Sequence, residues 1–129
     1  DAWTVLTQQA DYKSNQLFKT LLAGGDYTQD GAYTIWQMSI SDEAAYVAAY
    51  EKLMVSQIKG GILNGGYGLW RVQGGAHSDF THMAFAGAKD MATLLSNTNP
   101  SKAFLDFQKT VAGIRKVHRQ NINKVVADL

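Results

Sequence analysis

The period of the apolar residues changes along this chain, and that change constrains the fold more than any other feature. Residues 33–40, YTIWQMSI, alternate with period two. Thr34, Trp36, Met38 and Ile40 fall on one face, and Tyr33, Ile35, Gln37 and Ser39 on the other. The next stretch, SDEAAYVAAYEKLMVSQI, switches to helical spacing, with Tyr46, Tyr50, Leu53, Met54 and Gln57 or Ile58 in one stripe. Ser41 or Asp42 supplies an N-cap, and the acidic pair Asp42 and Glu43 suits the positive end of the helix dipole. Gly60-Gly61 ends the helix. ILNGGYGLWRVQGG then gives a turn and a strand at 67–73, GGAHSD a turn, and FTHMAFAG a strand, which together read as a hairpin. AKDMATLLSN and NPSKAFLDFQKTVAGI are helical pieces. The second is expected to be capped by Asn99, with Pro100 in the first position and Phe104, Phe107, Val111 and Ile114 on its buried face. RKVHRQNINKVV closes the chain as a strand.

The order from residue 33 is β-α-β-β-α-β. It predicts an α+β fold, the ferredoxin-like antiparallel sheet with helices on one face. Residues 33–129 form that domain. Residues 1–32 read as an N-terminal extension made of a short strand, WTVLTQQ, and a short helix, DYKSNQLFKTLLAGG. In the latter Leu17, Phe18, Leu21 and Leu22 fall at helical spacing. Helices on one face leave the other in water, so a homodimer through the uncovered face is expected.

A chain of 129 residues is one domain by its length and buries about two-thirds of its unfolded surface. With no cysteine it has no disulfide framework, thiolate metal site or Cys nucleophile. The net charge of +1, without a block of like charges, gives no reason to expect nucleic acid or an anionic membrane as partner. No apolar run approaches the roughly 20 residues of a membrane-spanning helix. The chain begins DAWTVL, without Met, which leans towards an exported protein and otherwise leaves the compartment open.

Chemistry-bearing residues gather in RVQGGAHSDFTHMAF, residues 71–85. Apolar throughout, the face with Trp36, Met38 and Ile40, Met83 and Phe85 is assigned to the helix-covered core, with the apolar Trp70 and Val72 on the same side. The mixed face then holds Tyr33, Gln37, Tyr67, Arg71 and His82, the expected ligand-binding set. His82 is the candidate acid or base, because an imidazole beside an arginine titrates in the neutral range. His77 and Asp79 sit in the turn, and H-x-D-x-x-H is no established metal-ligand spacing, so no metal is expected there. Arg115, Lys116, Arg119 and Lys124 read as solvated strand-end charges. No Gly-rich phosphate loop precedes a helix, and no G-x-S-x-G nucleophile turn is present.

The segments YTIWQMSISDEAAYVAAYEKLM, FTHMAFAGAKDMATLLSN and NPSKAFLDF, in that order, resemble the dimeric α+β barrel superfamily, in particular the antibiotic-biosynthesis-monooxygenase-like domains. The resemblance covers roughly residues 33–125 and implies a barrel built by two copies of the sheet. The superfamily hosts monooxygenases, haem-handling enzymes and isomerases, so the fold does not fix the chemistry. Its cofactor-free monooxygenases often use Asn, Trp and His lining the barrel; this chain departs from that motif, with Trp36, Trp70 and His82 on strands but not in its pattern. Its haem-binding members often supply a His from the second helical region, whereas residues 88–114 contain none, so no cofactor is expected. The function expected first is binding of a small apolar or aromatic molecule in the barrel. The alternatives are a cofactor-independent monooxygenase or isomerase in which His82 moves a proton, and a structural or interaction protein with a filled barrel.

Overall fold

The computed structural model describes residues 16–75, 79–96 and 99–125. Five strands, β1 (Gln16–Gly25), β2 (Ala32–Ile40), β3 (Gly66–Gly75), β4 (His82–Ala88) and β5 (Arg115–Lys124), form one antiparallel sheet in the order β1-β3-β4-β2-β5. Helices α1 (Glu43–Lys59), α2 (Met91–Ser96) and α3 (Lys102–Val111) are its helical elements. From β2 onward this is the ferredoxin-like order, with β1 added beside β3.

β1 is a correction. The stretch expected as a helix is an edge strand, paired with β3 from Gln16 opposite Gly75 to Gly25 opposite Gly66. The helical spacing of Leu17, Phe18, Leu21 and Leu22 is absorbed by two register irregularities. The one between Thr20 and Leu22 lets consecutive Leu21 and Leu22 both pack on the core. The open edge of β3 offers a full ladder of backbone hydrogen bonds, and that tertiary gain overrides a short segment's helical pattern. WTVLTQQ lies outside the described residues.

α1 forms where the spacing predicts it. Asp42 is its N-cap, and its Oδ1 accepts from the Ala45 N–H at 3.0 Å. The helix ends in a Schellman motif: Gly61 N–H donates to Ile58 O at 3.0 Å and Ile62 N–H to Gln57 O at 2.9 Å. Gly61 sits at φ +70°, a left-handed conformation that a Cβ disfavours. The expected cap of α3 is corrected from Asn99 to Ser101, whose Oγ accepts from Phe104 N–H at 3.1 Å. Pro100 therefore precedes the cap instead of opening the helix.

The core lies between the sheet and α1 with α3. Tyr46, Tyr50, Leu53 and Met54 of α1 and Phe107 and Val111 of α3 pack on Met38, Leu69 and Ala84 of the sheet. Four rings form its centre: Tyr46 stacks on Tyr50 at 6.1 Å, and Phe107 meets both at 5.7 and 6.2 Å. Tyr67 completes the set with its edge to Tyr50 at 6.3 Å.

Directly opposed residues of an antiparallel pair share a face. Trp36 stands opposite Ala84, Met38 opposite His82, and Arg71 opposite His82. His82 and Ala84 are thus on the helix-covered face, together with Tyr67, Leu69 and Arg71. Gln37 stands opposite Met83 and Ile35 opposite Phe85, which puts Met83 and Phe85 on the open face with Trp70. The expected assignment had these parities reversed on β3 and β4. The reason is complementarity of size. The large rings of α1 need small residues beneath them, and β4 presents the alanines Ala84 and Ala86 there.

Candidate functional site

The five residues expected to share one surface are divided between the two faces of the sheet. Tyr33 and Gln37 lie on the open face. The Tyr33 ring meets Phe85 edge-on at 5.7 Å, and its phenol is raised by burial and by the neighbouring Asp30 carboxylate. Gln37 Oε1 accepts from Arg119 Nη1 at 3.1 Å, and the same guanidinium pairs with Asp79 at 2.9 Å. Tyr67 is buried in the aromatic core.

Arg71 and His82 are brought together on the helix-covered face by a third residue, Glu43, the first residue of α1. Glu43 Oε1 accepts from Arg71 Nη1 at 2.9 Å, and its Oε2 lies 2.8 Å from His82 Nε2. On the other side of the imidazole, Thr81 Oγ1 lies 2.7 Å from Nδ1 and also accepts from the Ile40 N–H at 3.0 Å. With Nε2–H donating to Glu43, Thr81 donates to Nδ1 and every group in the chain Ile40–Thr81–His82–Glu43–Arg71 is satisfied. The Gln73 amide, turned so that its oxygen faces Arg71, accepts from Nε at 3.1 Å and Nη2 at 3.2 Å. The hydrogen bond from His82 holds the Glu43 carboxyl below its ordinary value, opposed by burial and helped by the Arg71 guanidinium. His82 is only 4% exposed, and both its ring nitrogens are occupied. The network fastens the N-terminus of α1 to β3 and β4. Asp79 is engaged with Arg119, and His77 lies outside the described residues.

Space for a ligand lies elsewhere on the same face. A cavity of about 370 Å³ opens between the sheet, α1 and α3. Its walls are Tyr50, Leu53, Met54 and Leu63 on one side and Met38, Ala84 and Ala86 on the other. Trp36 lines this cavity and also two adjoining clefts, one towards Pro100 and Ser101 and one towards Lys89 and Thr93. Gln57 lines all three as well. At one end Arg115 places its guanidinium 5.3 Å over the Phe107 ring. Burial raises the Tyr46 phenol, and the nearby Arg115 guanidinium opposes that rise. The Tyr50 hydroxyl is turned away, donating to Phe85 O at 3.0 Å.

Sequence reasoning missed this surface. Trp36 was assigned to a packed core, Arg115 to solvent, and Glu43 to the helix dipole alone. The parity of β5 relative to β2 was the missing signal. Met38 stands opposite Val117 and Ile40 opposite Arg115, so Arg115 belongs with the core-facing residues of β2.

Sheet order and one-sided helices define a ferredoxin-like α+β domain. Two solved structures share the fold. One is described as a major regulator of staphylococcal pathogenesis, with a TM-score of 0.55 and 15% identity over 90% of this chain and 72% of the other. The second is a "putative monooxygenase" from Lactobacillus acidophilus NCFM, with a TM-score of 0.51 and 10% identity, spanning 83% of this chain and 47% of that one. No family model and no curated protein matches the chain.

Proposed function

We propose that this domain binds a small apolar or aromatic molecule, and that it does so between the helices and the sheet. The observation that carries this is the cavity of about 370 Å³ with Trp36 at the junction of three clefts. Its volume falls within the range of roughly 300–1,000 Å³ of small-ligand sites. Aromatic and aliphatic side chains make the walls, and a few amides supply polar points. Acid/base catalysis by His82 is the weaker reading, because the imidazole is tied to Glu43 and Thr81 and is not among the residues lining the cavity.

The test is titration with the uncharged fluorophore N-phenyl-1-naphthylamine. The expected result is saturable binding at one site per chain with quenching of tryptophan emission. Trp36→Leu should weaken it about tenfold, the worth of one lost aromatic contact of roughly 1.4 kcal/mol. Non-saturable binding, or an affinity untouched by Trp36→Leu, would remove the cavity as the site.

The domain is also proposed to be a homodimer through its open face. Trp70 stacks on Phe85 at 4.7 Å there, Phe18 reaches Trp70 at 6.5 Å, and Ile35, Val72 and Met83 are half-exposed around them. So broad an apolar surface calls for a cover. Sedimentation should give twice the chain mass at micromolar concentration. Phe85→Lys, a charge at the centre of that face, should weaken association by roughly 100-fold. A wild-type monomer would end the proposal.

A further inference from the structure

The cavity described above carries more than shape. We infer that it selects a monoanionic amphiphile, an aromatic or aliphatic body bearing one carboxylate, sulfonate or phosphate, whose anionic group sits on Arg115. The inference rests on the small-molecule reading of the cavity and adds the ligand's charge to it.

The first support is the pairing of the arginines. The described residues include three of them. Arg71 is bound to Glu43 at 2.9 Å and Arg119 to Asp79 at 2.9 Å. Arg115 has no carboxylate partner among the described residues; its contacts are the Phe107 ring and the Tyr46 phenol. The second support is the wall. Among the described lining residues Arg115 is the single charged one, and the rest are apolar, aromatic or amide side chains. A half-buried guanidinium at the end of an apolar cavity carries a charge that no described carboxylate compensates, and an anion bound there regains what burial cost.

The third support is preorganisation. The Phe107 face lies under the guanidinium, 5.3 Å from its centre, and orients the plane of the fork before a ligand arrives. Remaining N–H donors in a fixed plane match the paired oxygens of a carboxylate or sulfonate. Gln108 and Gln120 line the same cavity and offer further amide donors. The apolar body of the ligand would run from Arg115 towards Trp36 and Met54.

The experiment compares two probes with one ring system: 1-anilinonaphthalene-8-sulfonate, an anion, and its uncharged relative N-phenyl-1-naphthylamine. Both are titrated into the full chain and into Arg115→Gln and Lys116→Gln, with near-ultraviolet circular dichroism to establish that each variant is folded. Arg115→Gln should weaken the sulfonate about tenfold and leave the neutral probe within about twofold. Lys116→Gln, the same charge change at an exposed neighbour, should alter neither. An equal loss for both probes in Arg115→Gln, no loss for either, or an equal sulfonate loss in Lys116→Gln would each overturn the inference. If the neutral probe binds as proposed while the sulfonate shows no dependence on Arg115, the cavity stands and the anion preference falls. If neither probe binds the wild-type chain, both fall together.

Discussion

Phe107→Ala should melt roughly 15 °C below the wild-type domain, a loss of about 4 kcal/mol. Phe107 is 6% exposed and touches Tyr46, Tyr50 and Phe104 through ring contacts of 5.7, 6.2 and 6.4 Å. Truncation removes the buried aromatic ring that α3 contributes to the core and leaves a hole that continues into the existing cavity. It also strips the platform from beneath Arg115. Phe107→Leu separates the two effects. It fills most of the volume and should cost only about 1.5 kcal/mol, while still removing the aromatic face. Thermal unfolding followed by circular dichroism checks both. A Phe107→Ala domain that melts within a few degrees of wild type would mean that the aromatic centre is not the core it is taken to be.

The second large effect concerns the fastening of α1. Glu43→Ala should destabilise by about 2 kcal/mol. Breaking a fully buried ion pair costs about 3–5 kcal/mol and an exposed one at most about 1, and Glu43 at 33% exposure falls between them. The loss leaves His82 Nε2 without its partner in a site 4% open to solvent, and it frees Arg71. The pH dependence has a definite sign. The Glu43 carboxyl is lower in the folded state than in the unfolded chain. As pH falls the unfolded chain therefore takes up the proton first. The contribution is complete above the ordinary carboxylate range, about pH 4, and disappears as pH drops through the folded value. The gap between wild type and Glu43→Gln in urea unfolding should accordingly be widest at neutral pH and close in acid. A gap constant across the range would show that the charge on Glu43 contributes nothing.

Much of this architecture could be read from residue periods. YTIWQMSI and SDEAAYVAAYEKLM differ so clearly in spacing that β2 and α1 follow directly, and the β-α-β-β-α-β order follows from there. QLFKTLLAGG was misread because its four apolar residues have helical spacing, and only the waiting edge of β3, with room for a bulge, makes it a strand. The faces of β4 were misread for a subtler reason. HMAFAGA alternates cleanly, but alternation does not say which set points inward. Met83 and Phe85 are the uniformly apolar set, and that suggested the core. The true determinant is on another element, since the rings of Tyr46 and Tyr50 occupy the helix side of the core that Ala84 and Ala86 face. That same parity decides whether His82 looks into a barrel or is sealed under α1, so the candidate site changed with it. Arg71 and His82 were rightly associated with each other, while Glu43, the residue that joins them, was legible only as a helix-terminal acid.

The rim of the sheet has its own consequence for assembly. An edge strand with a regular ladder invites another strand to dock beside it. At one rim β1 is interrupted twice, between Leu17 and Phe18 and between Thr20 and Leu22, which breaks the even spacing an incoming strand would need. At the other, β5 carries Lys116, Arg119 and Lys124 on an exposed strand and is itself irregular where it passes Gln37 and Met38. A sixth strand thus meets broken spacing at one border and like charge at the other. Among the described residues both borders disfavour lateral growth into ribbons, which leaves the flat of the sheet as the surface for the proposed dimer.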